Sequence, residues 1–138
     1  MDICNGKRWV YPQELIVKEG ACIVKEHSLK TGFFFGEKSE WEGAGDGVRR
    51  KVLSYDEGMM LVLVEFKKGS VGVIHKHPHK QFSYIIKGSF EVNIAGEKRV
   101  QKVGDGYLML PNVEHGVTAL EESSLLDIFV PWREDFLK

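Results

Sequence analysis

Residues 69–88, GSVGVIHKHPHKQFSYIIKG, decide the fold of this chain. They carry three of its five histidines, His75, His77 and His79, followed by Gln81. Residues 71–76 and 81–87 on either side read as two short strands, joined through a turn at Pro78. On a strand, residues i and i+2 face the same way, so His75 and His77 point to one side, as two ligands of one metal must. Gln81 opens the returning strand, and its amide oxygen can reach the same centre. His115 lies far along the sequence, just after the Pro111-Asn112 turn, where a neighbouring strand can present a fourth ligand. His79 is out of step across Pro78 and reads as a residue facing substrate or solvent. His27, in a charged setting, reads as solvated. The expectation is a metal-binding hairpin in a small β-barrel, with ligands from several strands meeting in its mouth.

Outward from this hairpin the chain reads as further short strands. Residues 48–55 form one, closed by Asp56-Glu57-Gly58. MMLVLVEF at 59–66 is almost continuously apolar, as expected for a strand covered on both faces. Beyond Gly88, SFEVNI at 89–94 alternates, with Phe90, Val92 and Ile94 on one face. Ala95-Gly96-Glu97 makes a tight hairpin into 98–103, and Gly104-Asp105-Gly106 turns the chain into 107–110. Residues 116–120 and 124–130 are the last two strands. Pro131 stops the sheet, and WREDFLK is a tail with one helical turn. Residues 1–47 read as an arm with short extended pieces at 9–11, 16–17, 22–24 and 33–35. Its glycine-rich end, EGAGDG at 42–47, lacks the Gly-Lys-Ser/Thr and the following helix of a phosphate loop and reads as a flexible connector. About eight short strands without a helical period predict an all-β barrel or sandwich, residues 48–138, after the arm.

Composition narrows the partners. At 138 residues the chain fits one domain with a real core. With 43% apolar and 28% charged residues and a net charge of -1, nothing points to nucleic acid or membrane as partner. No apolar run approaches the ~20 residues of a membrane helix. The start, MDICNGKRWVYPQ, shows no basic segment followed by an apolar one, so the expected compartment is cytoplasmic. Cys4 and Cys22 are then free thiols, without Cys-x-x-Cys spacing.

The last strand holds a second cluster. Asp127 and Phe129 share one face, and Leu126, Ile128 and Val130 share the other, expected to fill the core. A carboxylate in an apolar strand is costly unless used or paired. Arg133 follows closely. One reading is an Asp127–Arg133 ion pair that closes the barrel. The other is an acid/base carboxylate, an aromatic platform at Phe129 and an arginine fork for a substrate carboxylate.

Residues 48–130 resemble the cupin family. Gly69, His75, His77, position 81 and Gly88 match its first motif, Gly-x5-His-x-His-x3-4-Glu-x6-Gly. Gly104-Asp105, Pro111 and His115 match the second more loosely. Gln81 replaces the usual Glu, Leu110 stands where the proline is expected, and Ala119 where the motif closes with Asn. The resemblance implies a double-stranded β-helix, a jelly-roll barrel, holding a divalent metal on His75, His77, Gln81 and His115. Three neutral imidazoles and a neutral amide leave the ion's charge uncompensated. That favours Lewis-acid chemistry on anions over stabilising a higher oxidation state. Zn, Ni, Fe, Co and Mn all suit such ligands.

GVRRKVLSYDEGMMLVLVEFKKGSVGVIHKHPHKQFSYIIKGSFE, LPNVEHG and DIFVPWREDFL further resemble the pectin-degradation cupins of the KdgF type. That likeness implies conversion of unsaturated monouronates, released from pectin or alginate, to linear ketonised 4-deoxy-5-keto uronates. It assigns Asp127, Phe129 and Arg133 to the reaction and implies a homodimer. Arg133 and Phe129, with His79 nearby, are the expected substrate contacts. A non-catalytic sugar-acid-binding cupin, a cupin dioxygenase and a sugar isomerase are the alternatives, since one fold hosts many reactions.

Overall fold

A computed structural model describes residues 32–137. The extended pieces expected at 9–11, 16–17 and 22–24, with Cys4, Cys22 and His27, lie outside the described residues. Among the described residues ten strands follow one another: β1 (Glu42–Gly45), β2 (Val48–Asp56), β3 (Met59–Phe66), β4 (Val71–His75), β5 (Lys80–Lys87), β6 (Ser89–Ile94), β7 (Glu97–Lys102), β8 (Gly106–Met109), β9 (His115–Ala119) and β10 (Ser123–Val130). Single 3-10 turns at Gly36–Lys38 and Glu134–Leu137 flank them, and among the described residues no helix is long and apolar enough to cross a membrane.

The strands form two antiparallel sheets, ordered β1-β2-β3-β10-β5-β8 and β4-β9-β6-β7. Their non-sequential order is that of a jelly roll. From β3 onward the chain crosses repeatedly between the sheets, and the last strand inserts between β3 and β5. Met60, Val62, Ile85, Phe90 and Leu125 are each at most 1% exposed and anchor the core between the sheets. Phe66 and Phe90 meet edge to face at 5.1 Å. Each such side chain contributes about 1.5–3 kcal/mol by leaving water.

Four expectations are corrected. Phe33-Phe34-Phe35 is not a strand. The glycine-rich stretch supplies β1, which pairs with β2 and extends the sheet. Strand β3 is not covered on both faces: Met60, Val62, Val64 and Phe66 are buried, while Met59 is exposed and Leu61, Leu63 and Glu65 are half-buried. In β10 the core lies on the opposite face from the one expected. Leu125 and Phe129 are buried, Leu126, Ile128 and Val130 are half-buried on the outer face, and Asp127 shares the inward phase of Leu125 and Phe129. Its carboxylate therefore points into the barrel.

Two irregularities position the later site. Strand β4 pairs Gly72 with Val117 and then His75 with His115, so the register shifts between Gly72 and His75. A Cβ on Gly72 would lie 3.0 Å from Val117 and 3.5 Å from the Phe66 ring, so this position faces inward. Val73 and Ile74 are both exposed. The bulge thus resets the alternation and turns His75 back toward the interior. Gly88 joins β5 to β6 at φ 72°, where its missing Cβ leaves room for Ser123 Oγ and the Glu122 carbonyl. Gly88→Ala meets both the left-handed backbone penalty and this overlap. We expect it to lower unfolding free energy by about 2–3 kcal/mol, read from urea denaturation.

Candidate metal centre

Three imidazoles converge where the two sheets face each other. His75 ends β4, His77 lies in the short link beyond it, and His115 begins β9. Their candidate ligand atoms all lie within 4.8 Å of one another, and His77 and His115 are buried. Ring centroids are 4.5 Å apart for His75 and His115 and 5.0 Å apart for His77 and His115. Gln81, inward on β5 and 5% exposed, completes the group.

Each histidine is held in one tautomer. Nδ1 of His75 lies 2.7 Å from the Val73 carbonyl, Nδ1 of His77 3.1 Å from the His79 carbonyl, and Nδ1 of His115 2.8 Å from the Val113 carbonyl. A carbonyl only accepts, so each Nδ1 carries the proton and donates it, leaving a lone pair on Nε2. Burial lowers the pKa of His77 to about 4, with a lesser contribution from the positive charge of Arg133, and burial also lowers that of His115. The Oε1 atom of Gln81 sits 2.9 Å from His77 Nε2 and 3.2 Å from His115 Nε2. Acceptor therefore faces acceptor, with no proton between them. A cation is what satisfies four converging lone pairs, and the residues fit a divalent metal held by nitrogen and oxygen.

Behind Gln81 lies a hydrogen-bonded carboxylate. Asp127 sits opposite Ser83 across β5–β10 and opposite Val62 across β3–β10. Gln81 Nε2 donates to Asp127 Oδ1 at 3.1 Å and to Ser83 Oγ at 2.8 Å, and Ser83 Oγ donates to Asp127 Oδ1 at 2.5 Å. The Tyr107 hydroxyl, from β8, bonds to Ser83 as well. Burial raises the pKa of Asp127 to about 6 against the opposing pull of these hydrogen bonds, and burial raises that of Tyr107.

The Asp127–Arg133 ion pair weighed from the sequence is not formed. Arg133 instead makes a two-point pair with Asp135, 3.0 and 2.8 Å, which lowers the Asp135 pKa. The physical reason is the inward phase of β10: Asp127 lies inside the barrel, while Arg133 follows the strand's end. The Arg133 guanidinium lies 4.2 Å from the Phe136 ring centre and 5.2 Å from that of Phe129. Arg50 also packs on Phe136, at 3.5 Å, and pairs with Glu42 of β1 at 2.7 Å. The closing 3-10 turn thus hangs Phe136 between two arginines.

These groups share one cavity of about 840 Å³, lined by His75, Gln81, His115, Tyr107, Asp127, Phe129, Arg133 and Arg50, and also by Asp46, Lys67 and Lys68. Phe129 meets His77 edge to face at 5.6 Å and Phe136 at 5.6 Å, so it separates the histidines from the arginines. His79 stands apart. It is half-buried, its ring is 6.5 Å from Phe129, and its Nδ1 has no hydrogen-bond partner. Burial lowers its pKa, and its ring bonds to the Trp132 backbone. Of the sequence-read residues, His75, His77, Gln81, His115, Asp127, Phe129 and Arg133 are brought together, and His79 lies at their margin. Ser83, Tyr107 and Arg50 are additional. Only Ser83 carried a signal, as a polar residue two positions after Gln81 on the same face.

Comparison with known proteins agrees with this picture. The cupin-domain family model matches residues 62–129. The pectin degradation protein KdgF of Dickeya dadantii is 48% identical over 107 residues, which span 76% of this chain and 97% of that protein. An RmlC-like cupin from Shewanella frigidimarina matches in structure with a TM-score of 0.74 and 39% identity, over 78% of this chain and 96% of its own. The structure of KdgF from Halomonas sp. gives a TM-score of 0.74 and 36% identity, over 78% and 99%.

Proposed function

This chain belongs to the cupin family, and from that premise we propose that it is a metal-dependent enzyme of pectin or alginate breakdown that opens and ketonises unsaturated monouronates. The observation that carries the reading is the Asp127 carboxylate. It lies in the same cavity as the converging histidine lone pairs and a guanidinium, one hydrogen bond behind Gln81. The names of the relatives from Dickeya dadantii and Halomonas support the substrate class.

The substrate is a cyclic enol ether with a hemiacetal carbon and a carboxylate. Opening removes the proton of the anomeric hydroxyl, forms the carbonyl at C1 and breaks the bond from C1 to the ring oxygen. The ring oxygen leaves as an enol or enolate across C4 and C5. A proton delivered to C4 then leaves a ketone at C5. One proton departs and one arrives, so the reaction is an isomerisation without redox change or co-substrate.

His75, His77, Gln81 and His115 are the proposed ligands. A divalent ion held there supplies a Lewis acid that polarises substrate oxygens. Arg133 grips the substrate carboxylate with its planar fork, oriented by Asp135 and backed by Phe136. Phe129 walls the pocket between the carboxylate end and the histidines. Asp127 takes the hydroxyl proton and returns a proton to carbon. The basic residues around the cavity, Arg50, Lys67 and Lys68, favour an anionic ligand.

The test is the ultraviolet absorbance of the conjugated enol ether in freshly lyase-generated unsaturated monouronate. Addition of protein is expected to speed its loss, and a chelator to abolish the acceleration. Saturable uronate binding with no faster loss would make the protein a binding module instead. Arg133→Gln is expected to raise KM about 10- to 100-fold, the cost of one charge-assisted pair, with a smaller change in kcat. An unchanged KM would remove Arg133 from carboxylate binding.

A further inference from the structure

Gln81 has two ends of nearly the same shape, and only its partners decide which end faces the histidines. On the strand side both partners are acceptors. An ionised Asp127 can only accept, and Ser83 gives its single proton to Asp127 Oδ1, which leaves Ser83 lone pairs for Gln81. The two N–H groups of Gln81 go to these two atoms, at 2.8 and 3.1 Å. Oε1 is left to face the imidazoles.

We propose that Asp127 and Ser83 fix the orientation of the Gln81 amide toward the metal centre, and that Asp127 is why an amide and not a carboxylate stands at position 81. The proposal rests on Gln81 being a metal ligand. A carboxylate at this position sets a second oxygen where Nε2 now lies, against Asp127 Oδ1, so two acceptors meet inside the barrel and must repel or take up a proton, a demand that the amide's own N–H avoids. Ser83 is a positioning residue: it accepts from Gln81, donates to Asp127 and is itself held by Tyr107. Positions 81 and 127 are therefore one unit. An asparagine at position 127 can reverse the hydrogen bond by donating to a glutamate at position 81.

The experiment is a double-mutant cycle on the metal-free protein, with unfolding equilibria measured for wild type, Gln81→Glu, Asp127→Asn and the double variant. The Gln81→Glu change is expected to shift the unfolding constant at least tenfold more toward unfolding with Asp127 present than in the Asp127→Asn background. Equal effects in the two backgrounds overturn the proposal. A double variant that folds where Gln81→Glu alone does not supports it directly. Ser83 is judged separately by calorimetric titration with Ni²⁺. Ser83→Ala is expected to weaken Ni²⁺ binding about 10- to 100-fold, the usual effect of losing a group that orients a ligand. Ser83→Thr, which keeps the hydroxyl, is expected to restore it. Unchanged affinity in Ser83→Ala overturns the positioning role. A wild type that binds no Ni²⁺, Zn²⁺ or Co²⁺ refutes the metal reading itself, while the metal-free cycle still decides the pairing of 81 with 127.

Discussion

Asp127→Asn is expected to slow turnover of unsaturated monouronate by about 10²–10⁴-fold, the range for a positioned proton-transfer group, with metal content unchanged. Asparagine matches aspartate in size, so Val62, Ser83 and the flanking Leu125 and Phe129 keep their places around it. Its oxygen can still accept from Gln81 and Ser83, so the amide keeps its direction. None of the three histidines bonds to Asp127. What is lost is the ability to hold a proton taken from substrate. Arg133 pairs with Asp135 and not with Asp127, so the carboxylate grip is untouched and KM is expected to hold while kcat falls. The measurement is the rate of absorbance loss beside elemental analysis of the purified variant. Retained activity would sink the proton-transfer role. Joint loss of activity and metal would mean that Asp127 acts through Gln81 and not on substrate.

The barrel was legible because its strands are short, alternate cleanly and are bounded by turn residues. Phe90, Val92 and Ile94 against Glu91 and Asn93 is a pattern with contrast. Where contrast is missing, the reading fails. In β10 nearly every residue around Asp127 is apolar, so either face could have been the core, and the inward phase is set only by its place between β3 and β5. Strand β1 was missed because Gly43 and Gly45 have no side chains to alternate. The histidine spacing was legible for a partly different reason from the one that operates. The i, i+2 spacing assumed a strand through both histidines, but β4 ends at His75 and His77 lies in the link beyond it, and His75 faces inward only because the bulge after Gly72 resets the strand. Tyr107 and Arg50 could not have been picked out, since their approach to the site depends on β5–β8 pairing and on the packing of the final turn.

A divalent metal is expected to raise the melting temperature by roughly 10 °C over chelator-treated protein. The reason lies in the metal-free site. Gln81 Oε1 faces two unprotonated imidazole nitrogens at 2.9 and 3.2 Å, a buried set of acceptors with no donor. Unfolding hands these groups to water, whereas a cation satisfies them only in the folded chain. Metal at about 100 times its dissociation constant then contributes ~2.7 kcal/mol to folding. For a chain of 138 residues each kcal/mol moves the midpoint by about 4 °C. His77→Ala removes one lone pair from the cluster, and its shift at the same metal concentration is expected to fall below about 2 °C. His79→Ala is the control. It removes a neighbouring imidazole but keeps the backbone carbonyl that orients His77, so its shift should match wild type. Of two variants so close in sequence and type, one should thus lose the stabilisation by metal and the other keep it. A full wild-type shift in both would show that the ion is held elsewhere and that the converging lone pairs are not its site.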